Sequence, residues 1–227
     1  MFTLLIANKN YSSWSLRPWV LLRSLGIAFE EVLIPFGSSP PGGSIAERSP
    51  SGKVPCLIDG AVQVWDSLAI TEYLAEAHPQ VWPQDRVARA WARSAAAEMH
   101  SGFSALRNVC NMTCGQRVVL HSLPLALAAD LGRLDGLWQE GLARFGGPYL
   151  AGEVFSAVDA FFAPVAFRVQ TYGLALSAPS QAYVARLLAV PAMAEWYAAA
   201  LAEPWREAAH EAETQAAGTV TQDLRAR

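Results

Sequence analysis

Close to its amino terminus the chain reads Asn10-Tyr11-Ser12-Ser13-Trp14-Ser15-Leu16-Arg17-Pro18-Trp19. This stretch follows an apolar strand pattern, residues 2–7, and opens a helical pattern, residues 15–25. The first amides of a helix have no intrahelical partner, and the helix dipole adds partial positive charge at the same end. The stretch therefore predicts an anion site, where a serine hydroxyl can donate to a phosphate, an oxyanion or a thiolate.

Composition limits the class of protein. The chain has 227 residues, 52% of them hydrophobic, and a net charge of −3 without any basic block, so we expect one or two domains and no nucleic-acid partner. The first apolar run has no basic region before it and no cleavage site after it, which favours a buried strand over a signal peptide. No apolar run reaches the ~18–20 residues of a membrane span, so no membrane partner is expected.

The three cysteines, Cys56, Cys110 and Cys114, favour a reducing, cytoplasmic location, because an odd number without a secretory signal argues against disulfides. Cys110 and Cys114 are spaced to share one face of a helix and to pack in a core. No His/Cys pair accompanies them, so no metal is expected.

The order of patterns is β-α-β, an irregular piece, then β-β-α. Strands are predicted at residues 29–34, 56–58 and 62–64, the last two joined by an Asp-Gly turn, and Ser67 is predicted to cap a helix that ends near residue 77. Helical patterns without a convincing strand follow at residues 86–111, 124–145, 156–173, 181–188 and 192–202. Residues 80–85 are a predicted linker, and the polar tail after Glu213 is predicted to fray.

Three further motifs, in this order and spacing, resemble the soluble glutathione S-transferases. They are Ser51-Gly52-Lys53-Val54-Pro55-Cys56-Leu57, Val64-Trp65-Asp66-Ser67-Leu68-Ala69-Ile70 and Ser156-Ala157-Val158-Asp159. The resemblance implies an α/β plus all-α fold. A thioredoxin-like glutathione-binding domain, residues 1–79, would precede an all-helical domain, residues 86–227, that forms a cleft for the second substrate.

The resemblance assigns glutathione contacts to Lys53, Val54, Pro55, Asp66 and Ser67. A cis Val54-Pro55 bond would turn the Val54 backbone outward, to pair with the ligand's cysteinyl part as an added strand does. Ser67, at the start of a helix, would bind the γ-glutamyl carboxylate and Asp66 the ammonium group. The Ser156/Asp159 pair is interpreted as a structural capping box.

The opening stretch resembles the Ser-Ser-Cys-Ser-x-Arg segment of the zeta class, the maleylacetoacetate isomerases. By that match Ser12 contacts the thiolate, Ser13 is its neighbour and alternative, and Tyr11 is a third, less favoured hydroxyl. A donor that bonds only the charged form lowers the thiol pKa, and water can accept the proton. Trp14 replaces the segment's cysteine, which weakens an isomerase assignment, whereas Arg17 matches its arginine.

The second substrate is expected in an apolar cleft between the domains, facing the serine turn. The candidate residues are Trp14, Arg17, Met99, His100, Phe103, Arg107 and Arg168. Arg168 is a charge in an otherwise apolar helix and therefore needs an acidic partner or an anionic ligand.

Together these features predict a cytoplasmic, detoxifying glutathione transferase that uses glutathione as co-substrate against a small electrophile. A glutathione-dependent cis-trans isomerase and a non-catalytic glutathione-binding module remain as alternatives. The resemblance also implies a homodimer, for which Trp65 and Trp91 are candidate interface residues.

Overall fold

The computed structural model describes residues 1–226, which begin with a four-stranded sheet. Its strands, in the spatial order β2-β1-β3-β4, are β1 (Phe2–Ile6), β2 (Phe29–Leu33), β3 (Cys56–Asp59) and β4 (Val62–Trp65). β1 is parallel to β2 and antiparallel to β3, and β3 is antiparallel to β4. β1 occupies the interior of the sheet, which explains its continuous apolar sequence.

Ten helices and a second sheet complete the described chain. The helices are α1 (Ser13–Ser24), α2 (Ile45–Arg48), α3 (Ser67–Ala77), α4 (Arg86–Ser101), α5 (Ser104–Val109), α6 (Leu125–Phe145), α7 (Ala157–Tyr172), α8 (Ala178–Leu188), α9 (Pro191–Ala202) and α10 (Ala208–Ala217), with a 3₁₀ turn at Pro79–Val81. The second sheet pairs β5 (Gln116–Leu120) with β6 (Gly218–Asp223). These elements confirm the predicted class, an α/β sheet domain followed by a mainly helical part.

Helix α7 is the centre of the helical part. All of its residues except Gln170 are buried, and it packs against α1, α4 and α8. A helix that is apolar on every side is stable only when it is covered on every side. Through its contact with α1, α7 fixes the helical part against the helix that follows the serine turn.

Most predicted helix starts differ from the observed ones by one to three residues, and two of these differences lie at the serine turn and at Asp66. Helix α1 begins at Ser13 rather than at residue 15, with Ser12 as its cap. Helix α3 is capped by Asp66 instead of Ser67, because the Asp66 carboxylate accepts the Leu68 N–H at 2.8 Å. Asp66 has a φ of 77°, which is an unfavourable value for any residue other than glycine.

The all-helical prediction for the second part needs correction. The helix predicted over residues 86–111 is interrupted after Ser101, where Gly102 is extended and Phe103 has a left-handed φ of 54°. β5 and β6 are strands that sequence patterning missed, since within residues 1–226 each pairs only with the other, from a distant part of the chain.

The predicted fraying after Glu213 is also wrong, because α10 and β6 continue the ordered chain and bury Thr214 and Arg225. Cys110 and Cys114 are buried as expected but do not share a helix face, because Cys110 ends α5 and Cys114 lies in the turn before β5.

Among residues 1–226, no single helix is long and apolar enough to cross a membrane. On length and composition alone, the bent pair of α8 and α9 meets that requirement together.

The capping box of α7 is formed and fully buried. Asp159 accepts the Ser156 N–H at 3.0 Å, the Leu150 N–H at 3.1 Å and the Tyr183 hydroxyl at 2.9 Å. Burial raises the pKa of Asp159 to about 6, although the hydrogen bonds act in the opposite direction. Asp159 therefore links stability to pH in a direction unusual for a carboxylate.

We expect the free energy of unfolding of wild type, minus that of Asp159→Asn, to fall as pH rises from 3.8 towards 6. In this interval the folded state binds more protons than the unfolded state, so each unit of raised pKa removes about 1.4 kcal/mol as pH rises through it. Urea unfolding of both proteins across this range measures the difference, and growth of the difference with pH would contradict the assignment.

Candidate active site

The serine turn is held by its own hydroxyls. The Ser12 Oγ accepts the Ser15 N–H at 3.4 Å and donates to the Ser15 Oγ at 2.7 Å, and the Ala7 N–H donates to the Ser15 Oγ at 3.3 Å. Ser12 is 5% exposed and forms part of the wall of a cavity of about 360 Å³. The first turn of α1 thus places a polarised hydroxyl at the cavity wall.

This cavity, called the main cavity below, is bounded by the sheet part on one side and by helical elements on the other. Its lining residues are Tyr11, Ser12, Ser13, Trp14, Phe36, Ile45, Gly52, Lys53, Val54, Arg107, Asn111, Met112, Arg168, His210 and Glu213. A smaller cavity of about 290 Å³ is lined by Trp14, Ser51, Lys53, Val54, Pro55, Trp65, Asp66 and Ser67. The two cavities share Trp14, Lys53 and Val54, and together they contain all five predicted glutathione contacts.

The smaller cavity has the local geometry that the motifs predict. The Val54-Pro55 bond is cis, and no described residue hydrogen-bonds the Val54 backbone. Ser67 is buried and accepts from the Arg17 Nη1 at 3.3 Å, so its own hydroxyl hydrogen remains available. The second carboxylate oxygen of Asp66 lies 3.6 Å from the His100 Nε2.

The peptide that precedes the serine turn is held from the far end of the chain. Glu203, immediately after α9, accepts the Lys9 N–H at 2.6 Å and the Asn10 N–H at 3.2 Å. The Trp196 Nε1 donates to the Lys9 carbonyl at 2.8 Å. Burial raises the pKa of Glu203 even though these backbone donors act against it.

Tyr11 is committed to the C-terminal segment, residues 203–226. Its hydroxyl donates to Glu211 at 2.6 Å and accepts from Arg225 at 2.9 Å. Burial, followed by the hydrogen bond to Glu211, raises the pKa of Tyr11 to about 12. Ser12 and Ser13 therefore remain as the available hydroxyls of the turn.

Three arginines surround the serine turn and Trp14. Arg17 lies 4.2 Å from the Trp14 ring centroid and 5.0 Å from that of Phe161, and Arg107 lies 4.9 Å from that of Trp14. Arg168 donates to the Ser13 Oγ at 3.4 Å and to the Cys110 carbonyl. Burial and the nearby Arg107 lower the pKa of Arg168 to about 10.

These arginines form no ion pair with any carboxylate of residues 1–226, although Arg17 is 2% and Arg168 5% exposed. Buried charges without a counter-charge are costly, so this wall of the site is complementary to an anion.

The structure does not bring every predicted second-substrate residue to the cavity. Trp14, Arg107 and Arg168 line it, whereas Arg17 lies behind Trp14 and Phe103 is turned into the core by the helix break. Sequence reasoning missed Phe36, Ile45, Asn111, Met112, His210 and Glu213. No local motif marks them, because each reaches the cavity only through long-range packing.

Residues 11–77 match the family model described as glutathione S-transferase, N-terminal domain. The chain is 32% identical over 137 residues to glutathione S-transferase T1 of Arabidopsis thaliana, covering 53% of this chain and 55% of the relative. It is 34% identical over 104 residues to a probable maleylacetoacetate isomerase of Caenorhabditis elegans, covering 44% and 47%. The chain thus spans about half the length of these curated relatives.

A solved glutathione transferase homologue from Burkholderia gl BGR1, with bound glutathione, has the same fold. Its TM-score is 0.66 at 24% identity, over 88% of this chain and 97% of the homologue. Residues 11–77 are therefore similar to a glutathione S-transferase N-terminal domain, and the chain shares the fold of the solved homologue over most of its length.

We expect Glu203→Ala to destabilise the protein by at least about 2 kcal/mol, because it leaves two buried backbone N–H groups without an acceptor. Glu203→Gln should lose less, since its amide oxygen still accepts one of them. Urea unfolding measures both changes, with Glu195→Ala, at an exposed glutamate of α9, as the matched control. A loss no greater than that of the control would contradict the role given to Glu203.

Proposed function

We propose that the protein is a glutathione transferase that activates the glutathione thiolate for attack on a small electrophile. The observation that carries this proposal is the junction of the two cavities. The serine turn and the Val54-Pro55 edge meet where Trp14, Lys53 and Val54 line both spaces. The matched N-terminal domain and the glutathione bound in the Burkholderia homologue support the same assignment.

Glutathione would lie along the smaller cavity with its sulfur directed to Ser12. The Val54 N–H and C=O would pair with its cysteinyl unit in the manner of an added strand. Its γ-glutamyl carboxylate would face Ser67 and the free amides of α3, and its ammonium would face Asp66. Lys53, at the shared rim, supplies a cation for a second ligand carboxylate.

Ser12 is the proposed thiolate donor, and Ser13 is the alternative. Rotation of two hydroxyls lets Ser15 donate to Ser12 while Ser12 donates to sulfur, so the Ala7 N–H, Ser15 and Ser12 form one polarised chain. The chain ends at the positive end of α1, which favours the charged form of the thiol. Each unit by which the thiol pKa falls corresponds to about 1.4 kcal/mol.

Domain roles, assembly and location also stay proposals. Residues 1–79 would bind glutathione, and residues 86–227 would supply the second-substrate wall. A homodimer is supported by exposed Val62 and Trp65 on β4, whereas Trp91 packs on Phe145 and donates to Glu140 within the chain. We also propose a cytoplasmic, detoxifying role, from the family resemblance and the free cysteines.

Ser12→Ala should lower kcat/KM for conjugation of glutathione to 1-chloro-2,4-dinitrobenzene by about 10–100-fold, the worth of one hydrogen bond to a charged group. Ser13→Ala is the matched control, with a smaller expected loss. Glutathione binding, measured by calorimetry, should survive in both variants.

Unchanged kcat/KM in Ser12→Ala would refute the thiolate role of Ser12. Wild type that binds glutathione but turns over no electrophile would instead indicate a binding module.

A glutathione-dependent cis-trans isomerase is the second candidate, and the two arginines that line the main cavity favour it. In that reaction the thiolate adds to a double bond, rotation follows, and the thiol leaves again. Arg107 and Arg168 on the main-cavity wall would hold the carboxylates of a diacid substrate. Trp14, in place of the cysteine of the zeta-class segment, is the sequence feature against this candidate.

Arg168→Met should lower kcat/KM about 10–100-fold for the carboxylate-bearing substrate maleylacetone, and much less for neutral 1-chloro-2,4-dinitrobenzene. Methionine replaces a buried unpaired charge by an apolar chain, so the variant should stay folded. Arg133→Met, at an exposed arginine paired with Glu98, is the control. Equal losses on both substrates would contradict an anion-binding role.

A further inference from the structure

The main cavity contains a histidine that the serine-turn chemistry does not use. His210, near the start of α10, forms part of its wall together with Ser12. The His210 ring is stacked 5.1 Å from the Tyr11 ring at 28° and 5.4 Å from the Phe36 ring at 20°. Stacking between Tyr11 and Phe36 fixes the plane of the imidazole, and Tyr11 directly precedes Ser12 in the chain.

A carboxylate fixes the tautomer of the same ring. The His210 Nδ1 lies 2.7 Å from the Glu207 Oε2, which also accepts the His210 backbone N–H at 2.8 Å. An ionised carboxylate only accepts hydrogen bonds, so Nδ1 carries the hydrogen and the neutral ring has its free electron pair on Nε2. No residue of the described chain hydrogen-bonds that Nε2.

Charged groups of both signs lie around His210. Glu207, the cap residue of α10, contacts the His210 ring directly. Burial acts to raise the pKa of Glu207, but the hydrogen bonds from His210 outweigh this effect and lower the pKa. Glu213 from α10 lines the same cavity, as do Asn111 and Tyr11 from other elements. The opposing cations at the cavity wall are Lys53, Arg107 and Arg168.

A purely structural role of His210 would not require all of these contacts. Stacking on Tyr11 and Phe36 needs only a flat ring, and the cap of α10 needs only the His210 backbone N–H. Neither role needs a ring nitrogen held by a carboxylate, with its second nitrogen unpartnered in a cavity. A base positioned by a third group is the arrangement used in general acid–base catalysis.

We propose that His210, oriented by Glu207, accepts the thiol proton of glutathione, directly or through one water. This inference rests on the proposed glutathione transferase function. The S–H bond breaks, an Nε2–H bond forms, and the electron pair stays on sulfur, which then bonds to the electrophilic carbon. The imidazolium returns its proton to the leaving group or, in an addition, to the carbanion formed, and the ring is neutral again.

The test counts protons when the intact protein binds glutathione in weakly buffered, slightly alkaline solution, where imidazole is ordinarily neutral. An indicator dye measures protons released, and ultraviolet absorbance measures thiolate formed. The tripeptide with alanine in place of the cysteine of glutathione supplies the blank for groups other than the thiol. The proteins compared are wild type, His210→Phe, Glu207→Gln and a control, His121→Phe, at an exposed histidine before α6.

Wild type and His121→Phe should form thiolate with almost no proton release, because the proton stays on His210. His210→Phe keeps the stacked ring but should release close to one proton for each thiolate formed. Glu207→Gln should give an intermediate value, and it provides a second reading if the phenylalanine variant is poorly folded.

Equal proton release per thiolate in wild type and both cavity variants would overturn the role of His210 and leave the thiolate mechanism intact. Glutathione binding to wild type without any thiolate absorbance would overturn both this inference and the proposed function.

Discussion

The site depends on one interaction, in which the Glu203 carboxylate accepts hydrogen bonds from two successive backbone N–H groups. Because Lys9 and Asn10 donate to it, the peptide that leads into the serine turn has a single orientation. The Trp196 indole holds the Lys9 carbonyl from the same side. Without that contact two buried backbone N–H groups would have no acceptor, and the turn would be held by its remaining contacts, among them the side-chain contacts of Tyr11, Ser13 and Trp196.

Local chemistry explains what sequence reasoning predicted. A serine cap, an X-Pro reversal and an Asp-Ser helix start are each encoded within a few residues, and all three converge as expected. The error at Asp66 and Ser67 has the same origin, since adjacent residues both cap well and the hydrogen bond from the Leu68 N–H to the Asp66 carboxylate decides between them. Contacts such as the one between Tyr11 and Glu211 depend on tertiary packing, which no local pattern encodes.

The wall of the main cavity carries both arginines and carboxylates, and the two kinds of group have different partners. Arg107 and Arg168 on the main-cavity wall have no carboxylate partner among residues 1–226. The C-terminal segment adds Glu213 to the wall, while Glu207 and Glu211 hold the wall residues His210 and Tyr11 by hydrogen bonds. An anionic ligand is therefore attracted to the two arginines, whereas the carboxylates of the C-terminal segment orient the side chains of the same cavity.

The contacts between Tyr11 and the C-terminal segment also determine when the site forms during synthesis. Tyr11 is made long before its partners Glu211 and Arg225, which follow 200 and 214 positions later. On the ribosome, the sheet can therefore fold long before the turn acquires its final geometry. The turn therefore reaches its final geometry only after Arg225 has emerged, because contacts this distant along the chain form late.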